Sequence, residues 1–559
     1  MANMDSHLLA YIPQLESSMK NSSISVRNVY LSSAPKGLDK EFNDLLTDDA
    51  IEFLIDLAVN FEDCVNNLYN NRLQSKSQLR KNLNIPKFAK SHYHNDDWQI
   101  TPVNNRLKNR HLDLGDVSPS NLAHFTAALH ANVQGIQVDF DDGHCPTWFN
   151  QIHGLHNVLK VVQNLLPNVP DISNLPILMM RPRAWNMIEH NMSVNGKEIP
   201  GPLFDFGLLI FHNGKKLYEQ NCGPCFYLSK LESYHEARLW NDIFIWSEMR
   251  LQIPHGNIKA CVLIENILSA FEMDQILYEL RHHSLGLNCG IWDYAASIIA
   301  KFGGHKSYLL PDRNKYVNMN QRFLKKYMQL VVKICHRRGA HATGGMIAQV
   351  LSNDNNSQLN TNILRRISDA KISEIKNGID GFIIYDIRLV EAMNYLWKQH
   401  EGLFENQINF LGIKEEITEK DLLALPQGGV TINGLRHNIS VTILFINNWL
   451  NGKGHFVYKG AVEDSATAEI SRSQIWQWIQ HGAKLEDNGE IITRQLVKYQ
   501  TDIVLNDILH TESVNFEMRK SLDVAIDLFF YLINQRNFPD FITTFISNTY
   551  PFRKLHSHL

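Results

Sequence analysis

No stretch of the sequence approaches the ~18 consecutive apolar residues of a membrane span, so no membrane-embedded part is expected. The N-terminus, MANMDSHLLAYIPQLESSMK, lacks a basic region running into an apolar core, and secretion is not indicated. Dense basic blocks are missing too, since Lys36–Lys40 and Lys76–Lys87 are sparse enough to be solvated faces. With a formal net charge of −4 and a pI near 6.7, nucleic acid is a poor first guess as partner. Cysteine is scarce, seven in 559 residues, and the odd count suggests reduced thiols inside a cell. Two of them spell Cys222-Gly-Pro-Cys225. A strand-like apolar run follows where redox chemistry would need a helix N-terminus, so a loop coincidence is expected. Among 25 histidines there is no HExxH, and the adjacent His282 and His283 cannot share a helix face. A satisfied local hydrogen bond is therefore the preferred reading of His283. No phosphate-binding glycine turn follows the first strand; Gly344-Gly345 comes late and lacks dinucleotide spacing.

What is present reads as an ordinary globular chain, 44% hydrophobic and 20% charged, long enough for several domains. Residues 1–115 show helical spacing in places, through Leu45, Ile51, Leu54, Ile55, Leu57, Phe61 and Leu68. From Gly135 short apolar strands alternate with amphipathic helices. Strands are expected at Ile136–Phe140, Ile177–Met180, Phe226–Leu228, Val262–Ile264, Leu285–Leu287, Ala340–Ala342 and Phe382–Tyr385, with the eighth somewhere in 298–310. Helices are expected at Glu236–Glu248, Met319–His336 and Ile387–Lys398. This alternation predicts an α/β fold with a parallel sheet, and its length suits a (β/α)8 barrel over 116–402, with an open doubly wound sheet as the alternative. Residues 403–559 return to helical texture, clearest at Ile470–Ile479 and Ser521–Asn534, and are expected to form a separate helical domain.

Several expected strands end in polar residues, which a barrel would gather at one mouth. Asp139, Asp141 and Asp142 follow the first strand, Arg181 and Arg183 the second, Lys230 and Glu232 the third, and His341 lies on a later one. One such acid is more often a cap or a salt-bridge partner; convergence of several argues for a site. The segment Cys261–Tyr294 is the most telling, because two strand ends deliver Glu265 and Asp293 across one βαβ unit. Two carboxylates with water and substrate oxygens suit Mg²⁺.

The same segment resembles the malate synthase family, in its shorter, A-type form. The family runs basic–acidic–His, Gly-Leu-Asn, then Gly-x-Trp-Asp-Tyr; here the residues are Arg281-His282-His283, Gly286-Leu287-Asn288 and Gly290-Ile291-Trp292-Asp293-Tyr294. Arg181-Pro182-Arg183-Ala184-Trp185 resembles the family's Arg-Pro-Arg-Gly-Trp. GPLFDFGLLIFHN from Gly201, FYLSKLES from Phe226, RRGAHATGGM from Arg337 and EDSATAEISR from Glu463 are similar to its further segments. The likeness spans about residues 95–540. It implies condensation of acetyl-CoA with glyoxylate and hydrolysis to malate and CoA, a step of the glyoxylate cycle. It further implies Asp464 as the base, Arg181 as the stabiliser of the enolate, Glu265 and Asp293 as Mg²⁺ ligands, and Gly290, Trp292 and Asp293 beside glyoxylate.

The match has gaps. The family's Gly-Cys-Val-Pro-Ile reads Gly454-His455-Phe456-Val457-Tyr458, and its Trp-Val-Ala-His-Pro reads Ile383-Ile384-Tyr385-Asp386-Ile387. Ile291 stands where arginine is usual, His282 where an acid is usual, Ala295-Ala296 where Ile-Phe is usual, and Ala184 where glycine is usual. Among these changes, the loss of the proline segment after the last expected barrel strand falls where the family is expected to receive CoA. The changes leave two alternatives: a related acyl-CoA/2-oxo acid lyase or synthase with an altered pocket, or a non-catalytic binding protein on the same scaffold. The terminal Ser557-His558-Leu559 resembles a weak Ser-Lys-Leu peroxisomal address, and a cytoplasmic location is expected otherwise. The sequence leaves the oligomeric state open.

Overall fold

The computed structural model describes residues 28–81, 86–89, 92–353, 357–400, 404–410, 412–511, 516–549 and 552–553, so the terminal tripeptide lies outside the described residues. Eight parallel strands close into a barrel: β1 (Leu112–Val117), β2 (Gly135–Asp139), β3 (Ile177–Arg181), β4 (Cys225–Leu228), β5 (Lys259–Ile264), β6 (Ser284–Cys289), β7 (His341–Ile347) and β8 (Gly381–Ile384). β8 pairs with β1, which rules out the open sheet.

The two-residue period of a strand decides what faces inward. In β3, Ile177 and Met179 join Cys225, Tyr227, Cys261, Leu263 and Leu285 in the barrel interior, while Leu178 and Met180 pack against the helices. The same parity carries Arg181 to the inner rim, opposite Asp139 in register, and brings Glu265 there one step beyond β5.

The eighth strand is not in 298–310. Those residues finish the helix α3 (Ile291–Phe302) and form a 3-10 turn, Lys306–Tyr308. The strand is β1, and the expected domain boundary at 115/116 cuts through it. Its sequence, LDLGDV, hides it, because Asp113 breaks the apolar run. Inside the barrel that acid is paired: Arg110 Nη2 and the Tyr227 hydroxyl each donate to Asp113 Oδ2 at 2.7 Å.

Helices surround the barrel, among them α1 (Asp48–Lys81) and the short α2 (Met273–Glu279) between β5 and β6, while α4 (Ser357–Lys376) joins β7 to β8. The C-terminal part has its own core around Phe445, Trp449, Trp478 and Phe529. Its helix α5 (Ile432–Leu450) leads into a hairpin, β9 (Phe456–Tyr458) and β10 (Ala461–Glu463), and then into α6 (Ser465–His481). α6 packs against both α5 and α3, so this part closes over the barrel mouth. No helix among the described residues is long and apolar enough to cross a membrane.

Candidate active site

At the rim, Arg181 is gripped by three carboxylates. Its Nε and Nη2 donate to the two oxygens of Asp139 at 2.7 and 2.6 Å, Nη1 donates to Asp142 at 3.0 Å, and Nη2 donates again to Asp116 at 3.3 Å. A guanidinium has five N–H hydrogens, so one, on Nη1, stays outside these bonds. Lys230 supplies the second cation, with Nζ 2.8 Å from Asp141 and 2.6 Å from Asp142.

Asp142, Glu265 and Asp293 lie beside this pair, all buried, with ligand oxygens within 4.8 Å of one another. Glu265 comes from the end of β5, and its Oε1 accepts the backbone N–H of Lys230 at 2.7 Å. Asp293 sits in the first turn of α3 rather than on a strand end. Gly290 makes that approach possible: a Cβ there would lie 2.8 Å from Glu265 Cβ and 3.1 Å from its Oε2. Burial pushes the Glu265 carboxyl up to about 7 and that of Asp293 well above the usual carboxylate range, against the pull of Lys230. Burial would raise Asp142 as well, but Lys230 and Arg181 outweigh it and hold it near 2. Three buried carboxylates with only oxygen donors fit a hard divalent cation such as Mg²⁺, whose charge would offset the burial that raises Glu265 and Asp293.

Asp464 reaches the same mouth from the C-terminal side. It is the N-cap of α6: Oδ1 accepts the N–H of Thr467 at 3.0 Å, and the Thr467 hydroxyl accepts the N–H of Asp464 at 3.0 Å. That capping box fixes the carboxyl and leaves Oδ2 outside it. Burial, and then the charge of Asp142, raise its pKa, which is the direction a general base needs. Ser465 completes the junction by donating its hydroxyl to Asp142.

Trp292 lines the mouth with the Arg313 guanidinium 5.0 Å above its ring. The backbone N–H of Gly290 is taken by the Tyr327 hydroxyl at 3.1 Å, so the N–H groups left at the start of α3 are those of residues 291–293. A cavity of about 1060 Å³ opens next to Trp292, bounded by Met346, Val457, Lys459 and Arg366, between β7, α4 and the hairpin. The two segments that depart from the resemblance meet close by. His455 Nδ1 lies 2.7 Å from the Gly143 carbonyl and so carries the hydrogen; in the neutral ring Nε2 then accepts from the Tyr385 hydroxyl at 3.1 Å.

Arg181, Glu265, Gly290, Trp292, Asp293 and Asp464, singled out from sequence, are thus brought to one mouth. Sequence reasoning placed Asp142 and Lys230 at strand ends without giving them a role, and it missed Asp116 together with β1. An acid three residues past Asp113 on a strand with no apolar signature offered nothing to find it by.

Other candidates resolve as structural. Cys225 opens β4, burial pushes its thiol up to about 12, and Cys222 Sγ accepts from Arg106 Nη1 at 2.7 Å. A second cluster, Glu248, His255 and His283, sits where the chain turns into β5. Its carboxylate accepts the backbone N–H groups of Gly256, Asn257 and Ile258 at 3.0, 2.8 and 2.9 Å, and His255 Nδ1 lies 3.1 Å away. His283 Nδ1 bonds the Ile258 carbonyl at 2.8 Å, the local bond expected, while its Nε2 is buried without a partner among the described residues. Four hydrogen bonds occupy the Glu248 carboxylate that a metal would need, so the cluster braces the turn.

Comparison with known proteins agrees over most of the chain. Residues 177–425 match the family model "Malate synthase, TIM barrel domain", and residues 429–549 match "Malate synthase, C-terminal". The malate synthase of Dictyostelium discoideum is 37% identical over 90% of this chain and 95% of its own. That of Myxococcus xanthus is 36% identical over 90% and 93%, and malate synthase A of Escherichia coli is 36% identical over 81% and 86%. Several plant relatives bear the name "Malate synthase, glyoxysomal", that of Gossypium hirsutum being 34% identical over 83% of this chain and 85% of its own. Among solved structures, the Haloferax volcanii malate synthase magnesium/glyoxylate complex covers 75% of this chain and 99% of its own at 11% identity and a TM-score of 0.40, a likeness too slight to bear on the site.

Proposed function

The chain belongs to the malate synthase family, and from that premise we propose how its barrel mouth performs the reaction. The activity is condensation of acetyl-CoA with glyoxylate, followed by thioester hydrolysis to malate and CoA, a step of the glyoxylate cycle.

Asp464 Oδ2 takes a proton from the acetyl methyl group. The C–H electron pair becomes the enolate double bond, and the thioester oxygen gains negative charge. The Nη1 hydrogen of Arg181 that the carboxylates leave over would stabilise that charge. The carbon then attacks the glyoxylate aldehyde, and water cleaves the thioester. Glu265 and Asp293, with Asp142 in reach, would hold Mg²⁺; when bound, the ion supplies Lewis-acid polarisation and a template for glyoxylate. The N–H groups of residues 291–293 at the start of α3, with its dipole, suit the glyoxylate carboxylate, and Trp292 walls it in. Acetyl-CoA has a route through the 1060 Å³ cavity, where Lys325, Arg366 and Lys459 suit its phosphates. One observation supports these assignments above the rest: a buried carboxyl from the C-terminal part, free on one oxygen, stands in the same dry mouth as Arg181 and the three-carboxylate nest.

The test is release of free thiol from acetyl-CoA by the purified protein, with glyoxylate and Mg²⁺ supplied or withheld. Release that requires all three supports the reading. Release with another 2-oxo acid instead would point to a related lyase or synthase, and none under any condition to a binding protein. Location in the peroxisome is the matching proposal, resting on Ser557-His558-Leu559 and on the glyoxysomal names of the plant relatives. A fluorescent protein carrying the last dozen or so residues should collect in peroxisomes and lose that address without Leu559; diffuse fluorescence from the intact tail would leave the cytoplasm.

A further inference from the structure

Asp116 carries two liabilities at once. Its φ is +51°, in the left-handed region that glycine fills most cheaply. It is also buried, at 2% exposure, with Oδ2 lacking any hydrogen-bond partner among the described residues. The local fold enforces both. The pairing of β1 with β2 is irregular between Leu114 and Val117, which turns the residue off the strand's regular alternation, a device common beside active sites. Gln137 Oε1 accepts its N–H at 3.2 Å. Gly143 presses against it so closely that a Cβ there would lie 2.8 Å from Asp116 Cβ. The result aims one carboxyl at the catalytic group: Oδ1 lies 3.3 Å from Arg181 Nη2.

The surroundings decide what that carboxyl does. Asp116, Asp139, Asp141, Asp142, Glu265, Asp293 and Asp464 crowd around two cations, Arg181 and Lys230. Even a divalent ion leaves negative charge in excess, so these carboxyls cannot all stay ionised together. Asp116 shares with Asp139 a guanidinium nitrogen that Asp139 holds far more tightly, and its pKa is raised by burial and by the charges of Asp464 and Asp139. A proton taken up by this carboxyl has its place on Oδ2, the oxygen that no other group engages among the described residues.

We propose that Asp116 is a further catalytic residue, donating a hydrogen bond from Oδ2 to the thioester oxygen of acetyl-CoA as that oxygen becomes the enolate oxygen. It works alongside the free Nη1 hydrogen of Arg181. The methyl proton goes to Asp464, the C–H pair forms the new C=C bond, the carbonyl π pair moves onto oxygen, and Asp116 keeps its proton. This role rests on the assignment of Asp464 and Arg181 to enolisation.

Two variants test it. Asp116→Gly relieves the backbone, so the melting temperature should not fall, yet kcat should drop about 10²-fold, as for other lost oxyanion donors. The KM for glyoxylate should stay within about twofold, since uniform binding is untouched. Exchange of the acetyl methyl hydrogens in D₂O should fall in parallel. Asp116→Asn, whose amide can donate, should return kcat to within about tenfold of wild type. A kcat for Asp116→Gly within about threefold of wild type would overturn the proposal. So would an Asn variant no better than Gly, or a rise in glyoxylate KM with kcat intact. A wild-type protein that releases no thiol from acetyl-CoA with glyoxylate and Mg²⁺ would instead overturn the underlying assignment.

Discussion

Asp464→Asn separates chemistry from folding unusually well. Asparagine is as good an N-cap as aspartate, and its amide oxygen can accept the Thr467 N–H as Asp464 Oδ1 does at 3.0 Å. The start of α6 should survive, and removing one buried charge beside Asp142 relieves repulsion. Stability should therefore hold at or slightly above the wild-type level. Asp464→Ala would lose the cap and about 1 kcal/mol with it. The amide cannot take the methyl proton, and a positioned base contributes roughly 10²–10⁴-fold, or about 3–5 kcal/mol of barrier. Turnover should fall by at least the lower figure while glyoxylate still binds, because the carboxylate nest is intact. The assay pairs thiol release from acetyl-CoA with thermal melting of the same preparation. A well-folded variant retaining about a third or more of wild-type kcat would remove Asp464 from the mechanism.

Glu265→Ala and Asp293→Ala should each weaken Mg²⁺ dependence and glyoxylate binding together, since metal and chelating substrate share one nest; glyoxylate binding unchanged across an Mg²⁺ titration would show that assignment to be wrong. Stability should fall as pH drops from about 6.5 towards 4, because burial lowers His283 to about 4, so the unfolded chain takes up a proton that the folded chain refuses. His283→Gln should flatten that slope in pH-dependent melting, and an identical slope would exclude His283 as its source. Acetyl-CoA should be preferred over propionyl-CoA by kcat/KM, because the Tyr385–His455 bond ties down the segment leading into the hairpin beside the site; the reverse preference would make the changed segments 382–387 and 454–462 determinants of a wider acyl pocket.

Part of the site was readable from pattern alone, because Arg181 closes one apolar run and Glu265 follows another. Asp464, Gly290 and Trp292 were marked only by the resemblance to the family, since an N-cap acid and a residue at a helix start carry no chemical signature of their own. The expected helix at Met319–His336 appears as Arg322–Arg337, and that at Ser521–Asn534 as Phe516–Asn534. β1 was not readable, because Asp113 is buried by a partnership with Arg110 and Tyr227, the latter more than a hundred positions away. Asp116 went with it: periodicity says nothing about a residue whose place is set by an irregular pairing and a positive φ. Asp142 was visible but ambiguous, since only the fold shows which of the acids after β2 turns towards Glu265 and Asp293.

Arg181 and the carboxylate nest belong to the barrel, whereas the proposed base, Asp464, comes from the segment that follows it in the chain. Synthesis runs from the N-terminus, and domains fold as they emerge. On the roles proposed above, a barrel on the ribosome has the arginine assigned to the enolate and the carboxylates assigned to the ion before it has the group assigned to pull a proton from a thioester. Reactivity arrives with the docking of α6. The order of residues along the chain thus delays carbanion chemistry until the lid that keeps water from the enolate is in place.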